Sequence, residues 1–477
     1  MNGVDWGVTV LKLALLFFAG LGILQAHVGS PDVFFQGKAG PYPLLVAIRP
    51  PDVIPGVARI EVRVLSGTVS RVELTPTPMT GLASKHPPVA DLADRSASDP
   101  QYFEGNLWLM AMGSWEVHVR VVGPLGEGEL PVPVPALAFK SRPMDQPTTY
   151  FLIGMMVFLA TGIVAIVGAA VREARLAPGT PAGGWNVRSL GWMAFTAILV
   201  GGALLGGKAW WADDAANFER RMYKPLAVSA APTPDGKLDV RITDPGWLDM
   251  RKLDDLVPDH GHLVHLFLVR WPNLDQVFHL HPEQRATGIF EASQPPLPAG
   301  EYRLYADIVH ESGLAETAVG VATLPERKGA PLTGDDSGGA ATASGDSFPL
   351  GDGYRMVWRR DSGKSIVSKA VELYTFSIQG PGGAPVADLE PYMGMGGHAE
   401  FVKKDGSVFA HVHPSGSVSM ASEQIASSAA MMGMHQMNPG PEVSFPFGVP
   451  TAGSYRIFVQ MKRAGKVQTG AFDFDAK

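Results

Sequence analysis

Two stretches of this chain stay apolar long enough to cross a bilayer, and they divide it. Tyr150 to Val171 contains no charged residue, and Leu190 to Gly207 is a second, shorter run. A spanning helix needs about 20 apolar residues, so both are expected as transmembrane helices. The loop between them, residues 172–189, carries Arg172, Arg175 and Arg188. Arginine excess marks the cytoplasmic side, so both flanks are expected outside. A third apolar run, Leu13 to Leu24, follows Lys12. Residues 1–26 therefore read as a signal peptide or signal anchor, in agreement with that topology. No Asp, Glu, His or Lys interrupts either span, which argues against an ion path through these helices alone.

Outside the spans the pattern changes to period two. Val57 to Val64 alternates apolar and polar residues and then meets Ser66-Gly67, a strand-then-turn signal. Ser114 to Val121 alternates likewise. Pro131-Val-Pro-Val-Pro135 must be an edge strand or an extended connection, because proline removes ladder donors. Further strands are predicted at His262–Val269, Tyr302–Val309, His398–Val402 and Arg456–Met461. The expected fold is mostly β: three immunoglobulin-like β-sandwich domains outside the membrane, at residues 27–138, 223–325 and 347–477. Residues 326–346, rich in Gly, Ser, Ala and Asp, read as a flexible linker.

The last two domains carry one repeated motif. Asp255-Leu-Val-Pro258-Asp-His260-Gly-His262-Leu-Val-His265 precedes Phe278-His279-Leu-His281-Pro282. Asp388-Leu-Glu-Pro391-Tyr-Met393-Gly-Met395-Gly-Gly-His398 precedes Phe409-Ala-His411-Val-His413-Pro414. A second anchor follows in each copy, Ala299-Gly-Glu-Tyr302-Arg303 and Ala452-Gly-Ser-Tyr455-Arg456. Alternate residues of a strand share a face, so His279 and His281 can converge, as can His411 and His413. His265 or His398 from a neighbouring strand would complete a three-imidazole set, the pattern of an open metal site. The one ligand-type exchange is His-Gly-His for Met-Gly-Met. Imidazole suits Cu(II), Zn, Ni and Fe, whereas thioether selects Cu(I). A further cluster, Met431, Met434, His435 and Met437, sits among Ser, Gly, Asn and Pro and reads as a soft-metal capture loop. Copper is the expected ion, with zinc as the other candidate.

Composition narrows the classes. The chain has 477 residues, a net charge of −7 and no cysteine. Disulfides, thiolate zinc sites and blue-copper centres are thereby excluded, and there is no basic footprint for nucleic acid.

With Ala26-His-Val-Gly-Ser-Pro-Asp-Val-Phe-Phe, Phe278-His279-Leu-His281-Pro and Tyr392-Met-Gly-Met-Gly-Gly-His398 in view, the chain resembles uncharacterised bacterial inner-membrane proteins. These carry YtkA-like or immunoglobulin-like periplasmic modules and are associated with copper resistance. The resemblance implies periplasmic β-sandwiches and a role with copper. The expected function is copper capture, transfer or tolerance, in contact with a copper transporter or an oxidase-assembly protein. Two alternatives are a partner-binding assembly module with incidental metal, and a three-histidine metalloenzyme with Glu400 as general base.

Overall fold

The computed structural model describes residues 32–247, 251–329, 332–342, 345–427 and 439–477. The predicted leader at residues 1–26 and the Met431, Met434, His435 and Met437 cluster lie outside them. The chain is mostly β, 46% strand and 17% helix. It forms two compact units. One contains the described parts of Met1–Leu137 and Lys224–Lys477, and the other is Ala138–Tyr223.

The second unit is a pair of helices, Gln146–Glu173 and Val187–Arg221. Both are long and apolar enough to cross a membrane. Asp145 caps the first by accepting from the Thr148 N–H at 3.0 Å, and Asn186 and Ser189 form a capping box on the second. The two helices pack through Gly168, where a side chain would collide with Met193. The second helix runs beyond its apolar stretch because residues 208–221 contain neither proline nor glycine.

The β unit is built from three modules. The first contains a five-stranded and a four-stranded antiparallel sheet. Their inward residues, among them Val46, Ile60, Val62, Val72, Val117 and Val119, are fully buried. The proline-rich stretch lies on Gly126–Ala136, the edge strand of the four-stranded sheet. The second module is one curled ten-stranded sheet, and the third pairs a four-stranded with a five-stranded sheet. The predicted strands appear as His265–Trp271, Gly300–His310, His398–Lys403 and Gly453–Arg463.

The stretch read as a flexible linker is partly a strand. Ser337–Ala340 pairs antiparallel with Gln276–Leu280. Its small residues serve close approach. A side chain at Gly338 would meet the Val277 carbonyl oxygen at 2.3 Å and the Phe278 Cα at 2.6 Å. Glycine here permits backbone contact and is not a mark of mobility.

Nor are the two repeats tethered apart. On the strand His265–Trp271, Leu266 and Leu268 face the second module's own core. The alternate residues Phe267 and Val269 join Tyr305 in a core shared with the third module. Tyr305 stacks on Phe409 with ring centroids 4.0 Å apart and planes 6° from parallel, and Phe267 meets Phe409 at 5.3 Å. The repeats therefore pack sheet to sheet, and their histidines share one end of that interface.

Candidate metal centre

Each repeat builds the same tight turn. Asp259 and His262 exchange backbone hydrogen bonds of 2.8 and 2.9 Å, and Tyr392 and Met395 do so at 2.7 and 3.1 Å. Residues 260 and 393 both have φ of 51°, and Gly261 and Gly394 follow at 88° and 82°. The two successive left-handed residues explain the conserved spacing of His-Gly-His and Met-Gly-Met, because glycine adopts that geometry at no steric cost.

Behind each turn runs the same line of imidazoles. His265 Nε2–H donates to the Asp259 carbonyl at 3.0 Å, and its Nδ1 faces His279 Nε2 at 3.0 Å. His279 Nδ1–H donates to Gln460 Oε1 of the other repeat at 3.0 Å. In the second repeat, His398 Nε2–H points at the Tyr392 carbonyl at 3.4 Å, and its Nδ1 faces His411 Nε2 at 2.9 Å. His411 Nδ1–H donates to the Asp307 carboxylate of the first repeat at 3.1 Å. Each copy is thus steadied by an acceptor from its partner copy.

The outer histidines follow the same rule. His281 Nδ1–H donates to Asp336 Oδ1 at 3.0 Å, leaving Nε2 buried without a partner among the described residues. His413 Nδ1–H donates to the Val418 carbonyl at 3.1 Å. His260 crosses between repeats: its Nδ1–H donates to the Met393 carbonyl at 2.8 Å, and its Nε2 lies 3.4 Å from His413 Nε2. His262 faces Asp335 at 3.3 Å, and its ring lies 4.1 Å from that of His281.

A backbone carbonyl can only accept, so His260, His265, His398 and His413 have their N–H turned outward; His279, His281 and His411 match them when they donate to Gln460 Oε1, Asp336 and ionised Asp307. The inward nitrogens then oppose one another as bare lone pairs: His265 with His279, His398 with His411, and His260 with His413. Lone pairs at 2.9–3.4 Å repel unless a cation lies between them. Two nitrogens each about 2.0–2.1 Å from a tetrahedral ion lie about 3.4 Å apart. Outward N–H groups held by carbonyls and carboxylates are the usual outer shell of metal-binding histidines. Two triads have candidate ligand atoms within 4.8 Å of one another: His265, His279 and His281, and His260, His398 and His413.

Burial favours neutral rings. It pushes His260 down to about 4 and holds His265, His279, His398 and His411 well below the ordinary histidine range, helped by neighbouring histidines. His281 and His413 are lowered for the same reason, against opposing help from Asp336 and Asp259. Burial also raises Asp307, to about 7, and Glu400, well above the usual carboxylate range. Glu400 has no exposure, and neither of its carboxylate oxygens finds a hydrogen-bond partner in another described residue. A carboxyl held protonated is a poor general base.

Met393 and Met395 are buried in their turn, at 9% and 8% exposure. His310 stands apart between Asp255 and Glu316, at 2.7 and 3.0 Å. Burial opposes its charge, but those two carboxylates outweigh it and raise its pKa. The sequence reading missed the outer shell, namely Asp259, Asp307, Asp335, Asp336 and Gln460. The Asp335-Asp336 pair inside a Gly/Ser-rich stretch was the available signal.

The first module grips the loop after His413. Gln36 N–H donates to the Ser415 carbonyl at 2.6 Å, Ser417 N–H to the Phe34 carbonyl at 2.9 Å, and Phe34 N–H to Ser417 Oγ at 3.0 Å. The Phe34 ring packs on Phe447 at 5.5 Å. A strand of the first module thereby fixes one histidine of the cluster.

Residues 350–477 match the model of a family described as a domain of unknown function, DUF8832. A comparison with curated proteins finds no match. Among solved structures, the chain is similar to part of a 1.5-MDa bacterial ice-binding adhesin at 8% identity, covering 91% of this chain and 97% of that one, with a TM-score of 0.15. It is also similar to a tetra-tandem repeat from the extending region of a large adhesion protein, at 10% identity, 90% and 97% coverage and a TM-score of 0.17. A D1–D4 ectodomain fragment of ICAM-5 aligns at 10% identity, 91% and 75% coverage and a TM-score of 0.16.

Proposed function

We propose that this chain is a membrane-anchored metal-binding protein that captures or passes copper, with zinc as the second candidate. Its modules, read as immunoglobulin-like sandwiches, face the periplasm of a bacterial inner membrane. The observation that carries this reading is the set of buried imidazole nitrogens from both repeats, turned toward one another with their N–H groups tied down outside. Such a set costs stability without a cation and gains it with one.

Copper is preferred over zinc because Met393 and Met395 stand in the second repeat where His260 and His262 stand in the first. A thioether pair beside imidazoles favours Cu(I). A copper transporter or an oxidase-assembly protein is the kind of partner that would receive the ion.

The test is competition for Cu(I) against a chelator of known affinity, using the full chain in detergent. His413→Ala and the double change Met393→Ala with Met395→Ala should each weaken Cu(I) by at least about tenfold, roughly 1.4 kcal/mol. Equal affinity in the parent and both variants would overturn the reading.

A further inference from the structure

Resting on the metal-binding reading, we propose that the cluster holds two ions of unlike kind: an exchangeable one in the first repeat and a locked one that His260 completes across the interface. The first repeat offers three inward nitrogens, His265 Nδ1, His279 Nε2 and His281 Nε2. The second offers three at the corresponding places, His398 Nδ1, His411 Nε2 and His413 Nε2. His260 Nε2 joins the second set, 3.4 Å from His413 Nε2 and with its ring 5.2 Å from that of His398.

One tetrahedral ion takes at most four ligands, so a single ion would leave three buried lone pairs opposed. Two ions, one per triad, take six of the seven: His265, His279 and His281 hold one, and His260, His398 and His413 hold the other, with His411 against His398 beside it. The sets then differ in kind. The first draws every ligand from one repeat, whereas the second draws His260 from one repeat and His398 and His413 from the other. The residue equivalent to His260 in the second repeat is Met393, so no imidazole is returned to the first set. The exchange of one histidine for methionine thus separates a site that spans the interface from one that lies within a repeat. The spanning ion would hold the two repeats together and leave slowly, while the ion of the first repeat is the cargo.

Zinc(II) alone is the probe, because it is redox-inert and binds imidazole. The full chain in detergent is loaded, desalted and counted for zinc, then challenged with EDTA over time. The parent should retain two zinc ions per chain, one lost quickly and one at least about tenfold more slowly. His281→Gln should retain only the slow ion. His260→Asn, a residue that tolerates the positive φ at this position, should retain two ions that both leave quickly, or one. His413→Gln checks the second site independently, and circular dichroism confirms that each variant is folded. One zinc per parent chain, or a slow ion that survives both His260→Asn and His413→Gln, would overturn the two-site inference and leave the metal-binding reading intact. A folded parent that retains no zinc would overturn both.

Discussion

Phe409→Ala should destabilise the paired repeats by about 3–5 kcal/mol, the range for emptying a buried aromatic site, and should also abolish tight metal binding. Phe409 has no solvent exposure and lies between Tyr305 and Phe267 of the other repeat. Its strand continues directly to His411 and His413. Without the ring, two sheets that share one hydrophobic core lose the contact that sets their spacing, and the histidines are placed by that spacing. A shift of even 1 Å is large compared with the tolerance of a metal–nitrogen bond. Thermal unfolding of the full chain in detergent, with and without zinc, checks both halves. The parent should gain thermal stability with zinc by mass action, and the variant should gain little. A variant that is less stable yet keeps the full zinc-induced gain would separate the interface from the metal centre.

Acid should unfold the metal-free repeats early. Seven histidines of the cluster have pKa values lowered by burial. The unfolded chain therefore binds more protons than the folded one below the ordinary histidine pKa, and stability falls as pH drops through that region. For His260 the window runs from about 6.5 down to about 4. Each lowered unit is about 1.4 kcal/mol, so the cluster together loses several kcal/mol. His310 acts the other way: its raised pKa stabilises the fold below about 6.5 and is lost above its folded value. His118, Asp32, Asp307 and Glu400, also raised in the fold, act in the same direction, so these five groups offset part of what the seven lose. Unfolding midpoints of the metal-free protein between pH 7.5 and 4.5 should fall, and bound zinc should move the fall to lower pH. A flat profile across that interval would mean that the imidazoles are solvated and protonate freely.

The repeat, the His-x-His pairs and the strands that bear them were legible because spacing and period two are local properties. The face-to-face packing of the two copies was not read from them, although a signal existed. Leu263-Val-His-Leu-Phe-Leu-Val269 is, apart from His265, apolar on alternate and intervening positions alike, as strands buried on both faces are. A sandwich standing alone would have shown polar residues on one face. The crossing of His260 was hidden because one residue of φ 51° decides its direction, and sequence alone does not show which side of an interface a turn will meet. Ser337 to Ala340 was hidden for the opposite reason: small residues that permit close strand contact have the same composition as a flexible tether.

The most direct test of the account is zinc K-edge X-ray absorption fine structure on the loaded full-length protein. The account predicts a first shell of three to four nitrogens at about 2.0–2.1 Å, with strong imidazole scattering behind it, and loss of most of that signal when His265 and His398 are both replaced by alanine. A first shell dominated by oxygen, or imidazole scattering unchanged in the double variant, would contradict it.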